Sequence, residues 1–188
     1  MFILLDGPDR TGKTTLARNL IAHFSSETFL MLHTINIKNY TQDQYYRWYQ
    51  TAFKTVIKSE CSIILDRTHL SEYVFGSLSR GYDSSKIFNL EEIIADKNDV
   101  FLFLLSGKVE DLLEREDGCS IFSTKEAKME EIKKFEEGFK KSSICDRNKI
   151  FIDIEGKDTD TVFKIAKDTI ETVLFNKSAL YGRELLYR

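Results

Sequence analysis

Eight residues near the start of the chain, Gly7 to Thr14, follow the pattern Gly-x-x-x-x-Gly-Lys-Ser/Thr without a mismatch. Glycines at the two ends of such a loop let its backbone N–H groups point into one concavity, where they can hold a polyphosphate. The ammonium of Lys13 is expected to reach the β- and γ-phosphates, and the hydroxyl of Thr14 is expected to coordinate Mg²⁺. The pattern therefore predicts a site for a nucleoside triphosphate and magnesium.

A second pair of candidate residues, Asp66 and Arg67, follows the apolar run Ser62–Leu65. A carboxylate in this place can hold Mg²⁺ through water or orient an attacking oxygen, and the neighbouring guanidinium can bind a phosphate through two hydrogen bonds. The alternative is an ion pair that only ends a strand. The upstream phosphate-binding loop favours the functional interpretation.

The rest of the chain must supply elements that bring these residues together. Short apolar runs predict strands over Phe2–Leu5, Phe29–His33, Ser62–Leu65, Val100–Leu105 and Lys149–Ile154. Helical spacing predicts a helix through Leu16, Leu20 and Phe24 after the loop, and further helices over 41–59, 70–79, 90–95, 109–115, 125–141 and 159–175. Apolar strands that alternate with helices predict an α/β fold with a five-stranded parallel sheet and helices on both faces, in three layers. The length of 188 residues predicts a single domain over 1–188.

Two of these helices carry specific expectations about their buried faces. In helix 41–59 the stripe predicted to face the core is Tyr45, Tyr49, Ala52 and Val56. Trp48 and Phe53 lie off that stripe and could form a dimer face or a pocket for a base. In helix 125–141 the predicted buried face is Met129, Ile132, Phe135 and Phe139, with the lysines and glutamates in solvent.

Composition excludes several classes of function. A net charge of −3 and a pI near 5.7 argue against a protein that neutralises many phosphates of a nucleic acid. Apolar segments of 18 or more residues, which could cross a membrane, are absent from the sequence. The three cysteines are an odd number without CxxC spacing, so neither a disulfide framework nor a zinc site is expected. We expect a small-molecule partner, neither nucleic acid nor membrane, and a cytoplasmic location, in the host if the chain is viral.

Two stretches, FILLDGPDRTGKTT and IILDRTHLSEYVF, resemble the P-loop and DR(Y)xxS motifs of thymidylate kinases, within the wider family of nucleoside and nucleotide kinases. Arg10, which follows Asp9, is similar to the catalytic arginine that one class of thymidylate kinases carries in the P-loop and not in the lid. The resemblance implies a P-loop NMP-kinase-like fold with a lid at about 116–126. It also implies ATP and Mg²⁺ as cofactors, a nucleotide as substrate, and allows a homodimer.

The resemblance also assigns roles by position. Catalysis is implied for Arg10, Lys13, Asp66 and Arg67, and coordination of Mg²⁺ for Thr14 and Asp66. Binding of ATP is implied for Gly7, Asp9, Arg10, Thr11, Gly12, Lys13, Thr14, Thr15 and Arg115. Binding of the acceptor is implied for Asp9, Arg47, Arg67, Ser71 and Phe75. Lys38 joins this group as a substitute, because the stretch Asn36–Tyr40 lacks the Phe-Pro-x-Arg that thymidylate kinases usually carry there.

Three functions remain open at this point. The first is transfer of the γ-phosphoryl group of Mg-ATP to a (deoxy)nucleoside 5′-monophosphate, with a pyrimidine such as dTMP or a 5-modified dUMP expected. The second is a deoxynucleoside kinase, in which Asp66 is the general base on a 5′-hydroxyl. The third is a nucleotide-binding regulatory switch, although the chain has no [NT]KxD motif for guanine.

Overall fold

The computed structural model describes residues 1–34, 40–116, 118 and 120–184, so Lys38 lies outside the described residues. The strands are β1 (Phe2–Asp6), β2 (Phe29–His33), β3 (Ser62–Asp66), β4 (Val100–Ser106) and β5 (Lys149–Asp153). The α-helices are α1 (Lys13–His23), α2 (Gln42–Lys58), α3 (His69–Leu78), α4 (Val109–Glu114), α5 (Lys125–Lys141) and α6 (Thr159–Glu184). Two 3₁₀ segments cover Ser85–Ile94 and Asp146–Asn148.

The five strands form one sheet in the order β2-β3-β1-β4-β5, and every neighbouring pair is parallel. The carboxyl ends of the strands therefore lie at one edge of the sheet, where ligands of such sheets bind. Leu5 of β1 pairs with Asp66 of β3, so the loop after β1 lies beside this carboxylate. The predicted α/β class, with its parallel sheet, is confirmed.

Helices cover both faces of the sheet, and this explains why the strands are apolar throughout. Phe2 and Leu4 belong to a core shared with α2, α3, α5 and the first 3₁₀ segment. Ile3 and Leu5 point the other way, into a core shared with α1, α4 and α6. A strand buried on both faces has no polar side, so the alternation typical of half-exposed strands is missing. None of the helices within the described ranges is long and apolar enough to cross a bilayer.

Helix α2 begins at a capping box, because Thr41 Oγ1 accepts a hydrogen bond from the N–H of Gln44 and the Gln44 side chain accepts one from the N–H of Thr41. Its predicted stripe of Tyr45, Tyr49, Ala52 and Val56 is buried. Phe53 is also fully buried, and its ring packs edge-to-face against that of Phe2, with 5.6 Å between the ring centroids. The suggestion that Phe53 forms a dimer face or a base pocket is therefore wrong. Helix α2 packs against both the sheet and the first 3₁₀ segment, so more than one stripe of its surface is buried.

Helix α5 turns most of its predicted face to the core, since Phe135 is buried and Ile132 and Phe139 pack against the core, but Met129 is an exception and charged residues are buried as well. Met129 is 53% exposed, whereas Lys128 and Glu131 are fully buried and form an ion pair at 2.8 Å. The expected solvent exposure of the lysines and glutamates is thus wrong for this pair. Gly138 lets the helix approach Tyr73 of α3 closely, so the buried face follows Lys128, Glu131, Phe135 and Gly138.

The predicted short helix over 90–95 is part of the first 3₁₀ segment, which a buried carboxylate fixes to its neighbours. Oε1 of Glu91 lies 2.6 Å from Nε2 of His69 at the start of α3. Oε2 of Glu91 accepts hydrogen bonds from the backbone N–H and the hydroxyl of Ser143, at 2.6 and 2.7 Å. One side chain therefore connects α3, the 3₁₀ segment and the chain that follows α5.

We expect the Glu91→Gln substitution to remove part of the pH dependence of folding. Burial raises the pKa of Glu91, but the hydrogen bonds from His69 and Ser143 outweigh burial and lower the pKa to about 2. An unfolded glutamate has a pKa of about 4.3, so the carboxylate stabilises the fold above that value by about 3 kcal/mol. This stabilisation is lost as the pH falls towards 2. Urea unfolding at pH 7 and pH 3 should show a smaller difference in unfolding free energy for the variant. An equal difference in both proteins would contradict the assignment.

Candidate active site

The loop between β1 and α1 has the geometry of a phosphate cradle. Gly7 has a φ of 139°, and a Cβ at this position would collide with the carbonyl oxygen of Leu105 on β4. Gly12 has a φ of 85° and caps α1, so the amide groups of the first helical turn open into the loop. The ammonium of Lys13 lies inside the loop and donates hydrogen bonds to the carbonyl oxygens of Gly7, at 2.8 Å, and Pro8, at 2.6 Å.

The charge of Lys13 depends on its surroundings. Burial lowers the pKa of Lys13 to about 8, with help from the neighbouring Arg67 guanidinium and against the attraction of Asp9 and Asp66. A phosphate group next to the ammonium would favour the charged form and raise this pKa. An anionic ligand in the loop would therefore stabilise the charged form of Lys13.

Thr14 and Asp66 meet at the end of β3 and could hold a metal ion. The Thr14 hydroxyl donates a hydrogen bond of 2.6 Å to Oδ2 of Asp66, which also lies 3.1 Å from Nδ1 of His33. Oδ1 of Asp66 is buried without a hydrogen-bond partner among the described residues. Carboxylate and hydroxyl oxygens suit Mg²⁺, which usually takes its other ligands from water and substrate phosphates. These residues fit Mg²⁺, and no cluster of three or more acidic, histidine or cysteine ligands occurs in the described part of the chain.

Asp9 in the loop forms an ion pair with Arg67, the residue after β3. Burial raises the pKa of Asp9, but the positive charges of Arg67 and Lys13 outweigh burial and lower the pKa. The backbones of Arg10 and Arg67 both adopt the left-handed region, with φ of 71° and 66°, which side chains other than glycine rarely occupy. Both arginines also line the cavity at the P-loop.

Two cavities meet at this ion pair. The larger, of about 450 Å³, is lined by Asp9, Arg10, Gly12, Lys13, Thr14, Thr15, His33, Asp66, Arg67 and Arg115. The smaller, of about 270 Å³, is lined by Asp9, His33, Thr34, Tyr45, Tyr49, Arg67, Ser71, Glu72, Phe75, Arg80 and Ile121. Asp9, His33 and Arg67 line both. Ligands in the two cavities could therefore bring their charged ends together at the Asp9–Arg67 pair.

Helix α3 forms one wall of the smaller cavity, with Ser71, Glu72 and Phe75 facing it. The Ser71 hydroxyl donates a hydrogen bond of 2.5 Å to the buried Asp6, which fixes the start of the helix to β1. The ring of Phe75 is stacked on that of Phe122 at 5.8 Å between centroids. Burial raises the pKa of Glu72 to about 7, against the opposing effects of its hydrogen bond to Tyr82 and the charge of Arg80.

Most of the predicted site residues lie at these cavities. Two loop residues do not line the two cavities. The carbonyl oxygen of Gly7 accepts the hydrogen bond from Lys13, and Thr11 lines, with Arg115, a third cavity of about 70 Å³ next to the larger one. Arg47 is exposed on α2 and lies outside both cavities. The cavities also contain residues that the sequence did not indicate as site residues, namely His33, Thr34, Tyr45, Tyr49, Glu72, Arg80 and Ile121. Only Glu72 had a usable signal, since it lies one position from Ser71 and three from Phe75 on the same helix.

Comparison with solved structures identifies the fold. The chain superposes on YorR of Bacillus subtilis, solved in complex with phosphorylated GDP, with a TM-score of 0.72 and 16% identity over 95% of this chain and 98% of that one. Thymidylate kinase of Candida albicans gives a TM-score of 0.59 and 19% identity, covering 91% of each chain. Deoxyadenosine kinase of M. mycoides with bound dATP gives 0.56 and 17%, covering 91% and 100%. Neither a protein-family model nor a curated sequence matches the chain. The fold is that of the thymidylate kinase-like nucleotide kinases.

Proposed function

We propose that this chain, with its thymidylate kinase-like fold, is a phosphotransferase that moves the γ-phosphoryl group of ATP to a (deoxy)nucleoside 5′-monophosphate. One observation carries the proposal: the P-loop cavity and the smaller cavity share Asp9 and Arg67. A donor and an acceptor bound in them would have their phosphates in contact. A protein that only binds a nucleotide has no need of the second cavity, so a regulatory switch is disfavoured.

The roles follow from the positions of the side chains. The loop amides and Lys13 bind the β- and γ-phosphates, and Thr14 and Asp66 would hold Mg²⁺. When bound, Mg²⁺ neutralises charge on the triphosphate. Arg67 binds the acceptor phosphate between the cavities, and Asp9 keeps its guanidinium there.

The proposed reaction needs no covalent intermediate with the protein. An oxygen of the acceptor phosphate attacks the γ-phosphorus, and the bond from that phosphorus to the β–γ bridging oxygen breaks. ADP leaves, and the acceptor becomes a diphosphate. Arg10, which lines the larger cavity beside Arg67, stabilises the charge that develops on the transferred group.

A deoxynucleoside kinase is the second candidate, and the unpartnered Oδ1 of Asp66 favours it, because a buried carboxylate oxygen could accept a proton from a 5′-hydroxyl. In that case the acceptor would bring no phosphate to Arg67. Asp9 holds the guanidinium of Arg67 at the junction of the cavities, where an acceptor phosphate would lie, and this supports the monophosphate kinase over the nucleoside kinase.

A coupled assay of ADP release from Mg-ATP tests the proposal against a panel of acceptors. The panel contains the common deoxynucleosides, their 5′-monophosphates and the corresponding ribonucleotides. It includes pyrimidines, which the sequence motifs favour, and guanine nucleotides, because the YorR structure holds one. We expect turnover with monophosphates only. Turnover with nucleosides only would assign Asp66 as a general base, and tight binding of ATP without any turnover on the panel would contradict both kinase proposals.

A further inference from the structure

The residues that line the smaller cavity indicate where the base of an acceptor would lie. Arg67 lies before the first residue of this helix, and Arg80 lies just after its last. Glu72 lies in the first turn of this helix, and the Arg80 guanidinium reaches back to it, so the two side chains line the smaller cavity together. With the acceptor phosphate at Arg67, as the proposed function requires, the base lies beside Glu72 and Arg80.

Glu72 and Arg80 form a fixed polar pair at this end of the cavity. The Arg80 guanidinium donates to Glu72 through Nη2 and to the hydroxyl of Tyr82 through Nε, at 2.9 Å for the latter. Its carbon Cζ lies 4.2 Å from the centroid of the Tyr45 ring, so the aromatic face holds it from a third side. Tyr82 donates to the other oxygen of Glu72. Both side chains are thus held in place before a ligand binds.

This pair still has capacity for a ligand. Each carboxylate oxygen can accept two hydrogen bonds, and each oxygen of Glu72 receives one from the described residues. The Nη1 group of Arg80 makes no hydrogen bond within the described part of the chain. The base end of the cavity therefore presents two neighbouring carboxyl oxygens and a cationic donor, and hydrogen-bond donors on a ligand would favour the ionised form of Glu72.

Among the bases, guanine matches this arrangement. Its N1–H and N2–H₂ groups are neighbouring donors that suit a carboxylate, and its O6 and N7 atoms are acceptors that suit an arginine. Thymine offers one N–H. Adenine and cytosine place an acceptor nitrogen next to the amino group, and that nitrogen would face the oxygens of Glu72. We propose that Glu72 and Arg80 select guanine, which makes the acceptor a guanosine or deoxyguanosine 5′-monophosphate in place of the pyrimidine that the motifs suggest.

Single-atom analogues of dGMP test this inference on the unaltered protein. Deoxyinosine monophosphate lacks the 2-amino group, and 7-deaza-dGMP lacks the N7 acceptor. We expect dGMP to give the highest kcat/KM of the common monophosphates. Each analogue should lower kcat/KM by roughly 10- to 100-fold, the usual effect of losing one such contact, mainly through KM. This measurement does not depend on whether any variant folds.

The Glu72→Gln variant adds a second measurement. An amide offers one acceptor where the carboxylate offers two, so the preference for dGMP over deoxyinosine monophosphate should shrink towards one. Glu92→Gln is the matched control, because Glu92 is exposed on the first 3₁₀ segment and should keep the preference. Equal use of dGMP and dTMP, or an unchanged preference in Glu72→Gln, would overturn the inference and leave the proposed function standing. Failure of every monophosphate as an acceptor would overturn both.

Discussion

Replacement of Arg10 by alanine should lower turnover by about 10³ while ATP affinity changes only a few-fold. The guanidinium lines the cavity at the P-loop beside Arg67, where the phosphoryl group would pass from donor to acceptor. An arginine on the charge that develops in phosphoryl transfer is worth about 10³ to 10⁵ in rate. The chain has no arginine between Asp117 and Asp146, the stretch in which the resemblance predicts a lid, so this segment offers no replacement.

The measurement is the ADP-release assay combined with ATP binding by calorimetry. Alanine keeps the Cβ that arginine has, so the left-handed backbone at this position carries the same cost in both proteins. Arg18→Ala provides the control, because Arg18 is exposed on α1 and should leave both quantities unchanged. Weak ATP binding with normal turnover of the bound fraction would instead make Arg10 a binding residue only.

The buried ion pair of α5 should produce the largest effect on stability. Lys128→Met removes the partner of Glu131, whose side chain is fully buried, and leaves a carboxylate without its countercharge. Breaking a buried pair in this way typically costs about 3–5 kcal/mol. Burial already raises the pKa of Glu131 against the opposing effect of Lys128, so its loss will favour the protonated acid. We expect a large drop in the urea midpoint with an unchanged m-value.

A double variant separates the pair from general packing. Lys128→Met with Glu131→Leu replaces both charges by apolar groups of similar size, which is often neutral or stabilising. It should regain most of the stability that Lys128→Met loses. Lys133→Met changes an exposed lysine of the same helix and should alter the unfolding free energy by less than about 0.5 kcal/mol. No recovery in the double variant would show that Lys128 stabilises the fold by other contacts.

The strands and the P-loop could be predicted because their signals are local. A strand buried on both faces is apolar in every position, as in Val100–Leu105, and the loop is defined by residue types at fixed spacing. The position of Asp66 next to the loop also follows, since the carboxyl ends of parallel strands lie at one edge.

The burial of the charged residues could not be predicted, because it depends on how distant elements pack against each other. An apolar pattern assigns Lys128 and Glu131 to solvent, and only the packing of α5 against the rest of the fold shows that each neutralises the other. Glu72 and Arg80 likewise meet across the end of α3. In the sequence His33 is simply the last residue of a strand. The pairing of β2 with β3 is what brings its side chain to Asp66. In each case the physical reason is the packing of elements that are distant in the sequence, which buries the charged group or brings it to its partner.

The left-handed backbone at Arg10 implies a compromise between folding and activity. A residue with a Cβ in this conformation costs roughly 1 kcal/mol relative to glycine, which adopts it freely. Glycine at position 10 would therefore suit the backbone better, yet it would remove the guanidinium from the phosphate site. The same holds for Arg67 at φ 66°. If stability were the only criterion for selection, both positions would favour glycine, so under the proposed function the two arginines mark where this chain gives up stability in favour of activity.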